Sequence, residues 1–176
     1  MGISNNINVY IENSKIRGKL ARWKKSFVNY YITPPAGANI QKDDLHFQIE
    51  KAAESWNSYL RENGLPIHFQ EVSNALSADI IVHRVKVGRV YEGMCKYLSV
   101  INDEIKKVSV EIGLPNEFSG KNTTDLSIYC AIMHEFGHAL GLGHGVDIDD
   151  IMFVPHRKNI STPSENDIFV LREIYK

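Results

Sequence analysis

Apolar and polar positions along this chain fall into segments whose periods predict their secondary structure. Ser26-Phe-Val-Asn-Tyr-Tyr-Ile32 is rich in aromatic and β-branched residues and ends at Thr33-Pro34-Pro35, which predicts a first strand. Behind a cap at Asp43 or Asp44, Leu45, Ile49, Ala52, Ala53, Trp56 and Leu60 recur at helical spacing until Gly64 and Pro66 stop the run. Residues 67–72 and 78–83 predict the next two strands, with a polar turn containing Asn74 between them. Residues 107–112 (Lys-Val-Ser-Val-Glu-Ile) alternate strictly, as a strand with one wet face does. The stretch 89–100 precedes that strand, and Asn102-Asp103 predicts the turn joining them. A helix opens at Thr123-Thr124, with Thr124 as candidate cap; Leu126, Ile128, Cys130, Ile132, Met133 and Leu140 leave it apolar nearly all round, which predicts a helix through the domain centre. A last helix begins at Ser164, with Asp167 at the capping-box position. Residues 1–22 are polar and asparagine-rich and predict a poorly ordered lead-in.

Composition narrows the class. At 176 residues and 43% hydrophobic content the chain suits one well-buried domain, here residues 23–176. Lys+Arg 20 against Asp+Glu 21 gives a net charge of -1, with no general attraction to nucleic acid or to an anionic membrane. No basic run interleaved with aromatics suggests a nucleic-acid partner, and no apolar run approaches the roughly 18 residues of a membrane span. Two cysteines, Cys95 and Cys130, encode no disulfide framework. The opening residues lack the basic start and apolar core of a secretory signal.

The chemistry is concentrated in His134-Glu-Phe-Gly-His138-Ala-Leu-Gly141-Leu-Gly-His144. On a helix, His134 and His138 lie on one face roughly 6 Å apart and can grip one ion together. Glu135 falls about 100° around the helix, beside the ion and free to take a proton from water there. On a continued helix His144 would be roughly 9 Å past His138 and about 120° around the cylinder, so the helix must stop. Gly141, Gly143 and Gly145 are expected to supply the break through the left-handed conformation that glycine tolerates. Three imidazoles with a fourth position open suit one catalytic zinc ion rather than a closed structural site. His46, His68 and His83 have no partner at metal-binding spacing and read as surface or core histidines.

This long histidine motif, followed by Met152 in Asp149-Asp-Ile-Met-Phe-Val-Pro155, resembles the metzincin zinc endopeptidases, and the tail, residues 164–175, is most similar to the last helix of the matrixin group. The resemblance implies zinc ligands at His134, His138 and His144, a general base at Glu135, a turn glycine at Gly141, a methionine turn at Met152 and a carboxylate at Asp167 reaching that turn. It implies an α+β, metzincin-like zincin fold: a mixed twisted sheet with one antiparallel edge strand, two long helices, and a small C-terminal subdomain with a final helix. The upper part runs to about residue 143 and the lower part covers 144–176, with the cleft between them. Residues 89–100 would overlie that cleft and pair with extended substrate. Phe153, Val154, Pro155 and His156 would wall the pocket after the scissile bond. The chain departs from the matrixin pattern at Gly145, where serine is common, at Pro155, displaced by one, and at His156, where tyrosine is frequent.

The function implied is zinc-dependent hydrolysis of internal peptide bonds, with protein or peptide substrates and an apolar preference after the cut. A zinc-containing peptide- or protein-binding module with little turnover is the alternative, opposed by the presence of Glu135. One catalytic zinc is expected and calcium is left open. A monomer is expected, secreted with its leader removed; the alternative is a cytoplasmic protein working where it is made. Residues 1–22 have a second reading as the remnant of an inhibitory segment, with Glu12 the single acid there able to cover the metal.

Overall fold

In the computed structural model, which describes residues 3, 5–34, 44–85, 93–113, 125–155 and 159–176, the elements run as follows. Helix α1 (Ile7–Asn13) and the short strands β1 (Lys15–Ile16) and β2 (Lys19–Leu20) precede β3 (Phe27–Ile32) and α2 (Asp44–Glu62). Strands β4 (His68–Glu71), β5 (Ile80–Val85), β6 (Gly93–Ile101) and β7 (Glu104–Gly113) follow, then α3 (Asp125–Ala139) and α4 (Glu165–Ile174).

Five strands form one mixed sheet in the order β4-β3-β5-β7-β6. β3 pairs in parallel with β4 and β5, β5 pairs in parallel with β7, and β6 runs antiparallel to β7 along one edge. Period-two patterning sets the face: Val28, Tyr30 and Ile32 on β3, Ile80 and Val82 on β5, and Val108, Val110 and Ile112 on β7 are all buried. Helices α2 and α3 pack against this sheet and against each other. The Phe136 ring meets Tyr30 and Phe69 edge-on, with centroids 5.8 and 5.0 Å away, and Trp56 Nε1 of α2 donates to Met133 O of α3 at 2.9 Å. The α+β architecture with an antiparallel edge strand is therefore the one expected. The turn between β6 and β7 places Asn102 (φ 50°) and Asp103 (φ 60°) both in the left-handed region, the pair of conformations that matches hairpin twist, and both residue types tolerate it.

The N-terminal residues correct the expectation of a poorly ordered lead-in. Residues 7–13 form α1, β1 and β2 form a hairpin, and Tyr10, Ala21 and Trp23 belong to the main core. Polar composition concealed this because a few residues do the anchoring while the rest face water. Glu12, the acid that an inhibitory covering of the metal would use, instead pairs with Lys15 Nζ at 2.5 Å. Among the described residues no helix is long and apolar enough to cross a membrane. The candidate caps Asp43 and Thr124 lie outside the described residues.

Candidate active site

Helix α3 carries His134, Glu135 and His138 through the domain centre and ends at Ala139. Gly141, at φ 106°, makes the left-handed break: its N–H donates to His138 O at 2.9 Å, and Leu142 N–H reaches back to Gly137 O at 3.1 Å. Gly143 and Gly145 work differently from expectation, since neither has a positive φ. A Cβ on Gly143 would lie 2.1 Å from Asn13 O, and one on Gly145 would lie 2.7 Å from Asp150 Cβ and Oδ2. They are glycines because other chain segments press against them.

The reversed chain brings the third imidazole back. Ring centroids lie 4.8 Å apart for His134 and His138, 5.0 Å for His138 and His144, and 5.7 Å for His134 and His144, and one nitrogen from each falls within 4.8 Å of the others. His134 Nδ1 sits 2.8 Å from Ile151 O and His138 Nδ1 sits 2.8 Å from Leu142 O. A carbonyl only accepts, so Nδ1 donates in both rings and leaves the Nε2 lone pairs for a metal, the arrangement that outer partners of metal-bound histidines impose. Burial holds His138 in its neutral form, lowering its pKa to about 4 against the hydrogen bond to Leu142 O, and His144 is likewise lowered by burial. Three converging imidazole nitrogens, two of them on rings oriented by backbone carbonyls, fit a zinc ion.

Glu135 lies beside them, 6% exposed. Its Oε2 is buried with no hydrogen-bond partner among the described residues. Burial pushes its carboxyl up to about 8, against a hydrogen bond from the Cys95 backbone that lowers it. A buried carboxyl with a perturbed pKa beside a set of metal-ligand candidates is a candidate for acid–base work.

Below the histidines, Met152 is fully buried, and a Cβ on Gly137 would come within 2.4 Å of its sulfur, so glycine lets the methionine press against the helix. Asp167, also fully buried, accepts from Ile151 N–H at 2.9 Å, from Ser164 N–H at 2.7 Å and from Tyr10 Oη–H at 2.5 Å. One carboxylate thus joins α4, the methionine turn and α1. Phe153 is half-buried and Val154 and Pro155 are exposed, while His156, the fourth residue expected to wall the pocket, lies outside the described residues.

Sequence reasoning missed several participants. Asp150 accepts from Val146 and Asp147 N–H, Ser164 Oγ–H and Asn166 Nδ2–H at 2.6–2.9 Å, which organises the loop after His144. Asn13 Nδ2 donates to His144 O at 3.0 Å, and Gly143 N–H donates to Ser14 Oγ at 2.9 Å. Neither has a local signal; both come from folding distant segments together. His46, read as isolated, stands 3.0 Å from Glu71 and 3.9 Å from Glu50, which lies one helical turn along α2. The spacing to Glu50 was legible as an i,i+4 pair.

The model of the matrixin family matches residues 22–176. Matrix metalloproteinase-27 of Tupaia belangeri is 27% identical over 169 residues, 89% of this chain and 31% of its own length. Interstitial collagenase of Sus scrofa is 28% identical over 140 residues, covering 75% of this chain and 28% of its own, and matrix metalloproteinase-A of Caenorhabditis elegans is 24% identical over 161 residues, 81% and 28% respectively. The chain thus spans about three-tenths of the length of these relatives. With the family match running from Arg22 to the last residue and the three histidines gathered at one point, this chain belongs to the matrixin family of zinc metalloendopeptidases.

Proposed function

We propose that this chain is a zinc-dependent endopeptidase that cuts internal bonds of extended protein or peptide substrates. The observation that carries the reading is the convergence of three imidazole nitrogens, with the buried Glu135 following His134 in helix α3. His134, His138 and His144 would hold the ion. When bound, zinc supplies a Lewis acid that polarises the scissile carbonyl and eases deprotonation of water. Glu135 takes the proton of the attacking water and delivers it to the leaving amine, so no covalent intermediate with the protein is needed. Gly141, Met152 and Asp167 keep the histidines in place, and Phe153, Val154, Pro155 and His156 wall the pocket for an apolar side chain after the cut. Family resemblance supports an extracellular setting.

Purification without added metal is expected to yield one zinc per chain. Glu135→Ala should keep that zinc while lowering peptide turnover by at least about 100-fold, the usual cost of losing a positioned acid–base group. Zinc content near zero that added zinc does not restore would overturn the metal assignment. Wild-type cleavage by Glu135→Ala would overturn the role of the base, and metal-loaded wild-type protein that binds peptides without cutting them would make this a binding module.

A further inference from the structure

Three alternate residues of β6 face the catalytic helix. Tyr97 Oη–H donates to His138 O, the Cys95 backbone N–H hydrogen-bonds the Glu135 carboxylate, and Gly93 lies directly against that side chain. A Cβ built on Gly93 would stand 2.6 Å from Glu135 Cγ, 2.8 Å from Oε1 and 3.0 Å from Cδ. Gly93 has no positive φ, so its backbone is open to any L residue. Space, not conformation, is what asks for glycine here. The carboxylate also has little room to retreat, because Glu135 is 6% exposed and its neighbour Phe136 is locked between Tyr30 and Phe69.

Resting on the reading of Glu135 as general base, we infer that Gly93 is a positioning residue for it: the bare strand lets the carboxylate lie flat against β6, and any side chain at 93 drives it out of line. The Cys95 N–H, two residues along the same strand, also holds the carboxylate. Positions 93, 95 and 97 share the face of β6 that meets α3, so a methyl group at 93 acts on the base rather than on a peptide paired along the outer edge of the strand.

Gly93→Ala is therefore expected to lower kcat by about 10- to 100-fold, as displacement of a reacting group by an ångström does, with zinc content and KM little changed. Overpacking should also lower the melting temperature by about 3–6 °C, and the penalty should largely vanish in the Glu135→Ala background, where the atoms that the added methyl group meets are gone. If Gly93→Ala alone does not fold, recovery of a folded Gly93→Ala/Glu135→Ala protein gives the same answer. Wild-type kcat in Gly93→Ala, or an equal melting penalty in both backgrounds, overturns the proposal. Wild-type activity of Glu135→Ala would instead sink the reading of Glu135, and the melting comparison would still report whether residues 93 and 135 collide.

Discussion

Asp167 shows how one side chain can do more than its local motif requires. Its capping box with Ser164 is local and legible, because the two stand three apart at a helix start. A simple cap costs about 1 kcal/mol when lost. Asp167 also satisfies Ile151 N–H and Tyr10 Oη–H, so Asp167→Ala strands three donors in a fully buried place. Denaturant unfolding is expected to show a loss of about 3–5 kcal/mol, with about 1 kcal/mol marking a cap and nothing more. The pH dependence has a definite sign. Burial raises this carboxyl from 3.8 to about 6, against the pull of its hydrogen bonds, so the folded chain holds the proton more tightly than the unfolded one. Its contribution to stability is then fullest below pH 3.8 and is lost as pH rises to about 6. Metal-free wild-type protein should lose stability relative to Asp167→Asn over that interval; a constant difference between the two would show that the carboxyl does not titrate there.

Helix α3 was legible as an element because its signals lie within its own sequence: an apolar surface all round, histidines at i and i+4, and Gly141 at its end. How its end is held was not legible. Three carbonyls of its last turn and the turn beyond accept hydrogen bonds from remote side chains: His138 O from Tyr97, Ala139 O from Trp23 Nε1 at 2.8 Å, and Leu140 O from Tyr175 Oη–H at 2.9 Å. These anchor a buried helix end, and their sequence separations reach 116 positions, beyond the reach of any periodicity. Helix α1 is concealed for the same reason. A seven-residue helix makes a weak signal, and its value lies in what it grips: Asp167 through Tyr10, and the backbone of Gly143 and His144 through Asn13 and Ser14. Since the last two contacts fix the loop carrying the third histidine, the double variant Asn13→Ala/Ser14→Ala should bind zinc about tenfold more weakly in competition with a chromophoric chelator, the scale at which outer contacts tune metal sites. Unchanged affinity would show that the glycine loop holds His144 without help from α1.

At the scale of the whole molecule, local patterns revealed which elements form, whereas the site depends on where their ends meet. The sheet presents β6 as its antiparallel edge, α3 crosses behind it with the histidines, and Met152 pressed under Gly137 carries the chain from the metal turn into residues 153–155. On the proposed function, an extended peptide pairing along β6 would pass the histidines and leave one side chain facing the residues after the methionine turn, a strand-addition geometry that suits backbone recognition with a pocket for specificity. Phe153 and the exposed Val154 and Pro155 offer that side chain an apolar surface. Each methylene buried there contributes roughly 0.8 kcal/mol, so leucine or methionine just after the cut should be preferred to alanine by about tenfold or more. A peptide-library digest read by mass spectrometry measures this directly, because it reports the position of each cut together with the residues flanking it. Internal cuts before large apolar residues are the expected outcome. Stepwise trimming from one end, or a preference for acidic residues after the cut, would overturn the cleft and pocket and leave only the three histidines as a metal site.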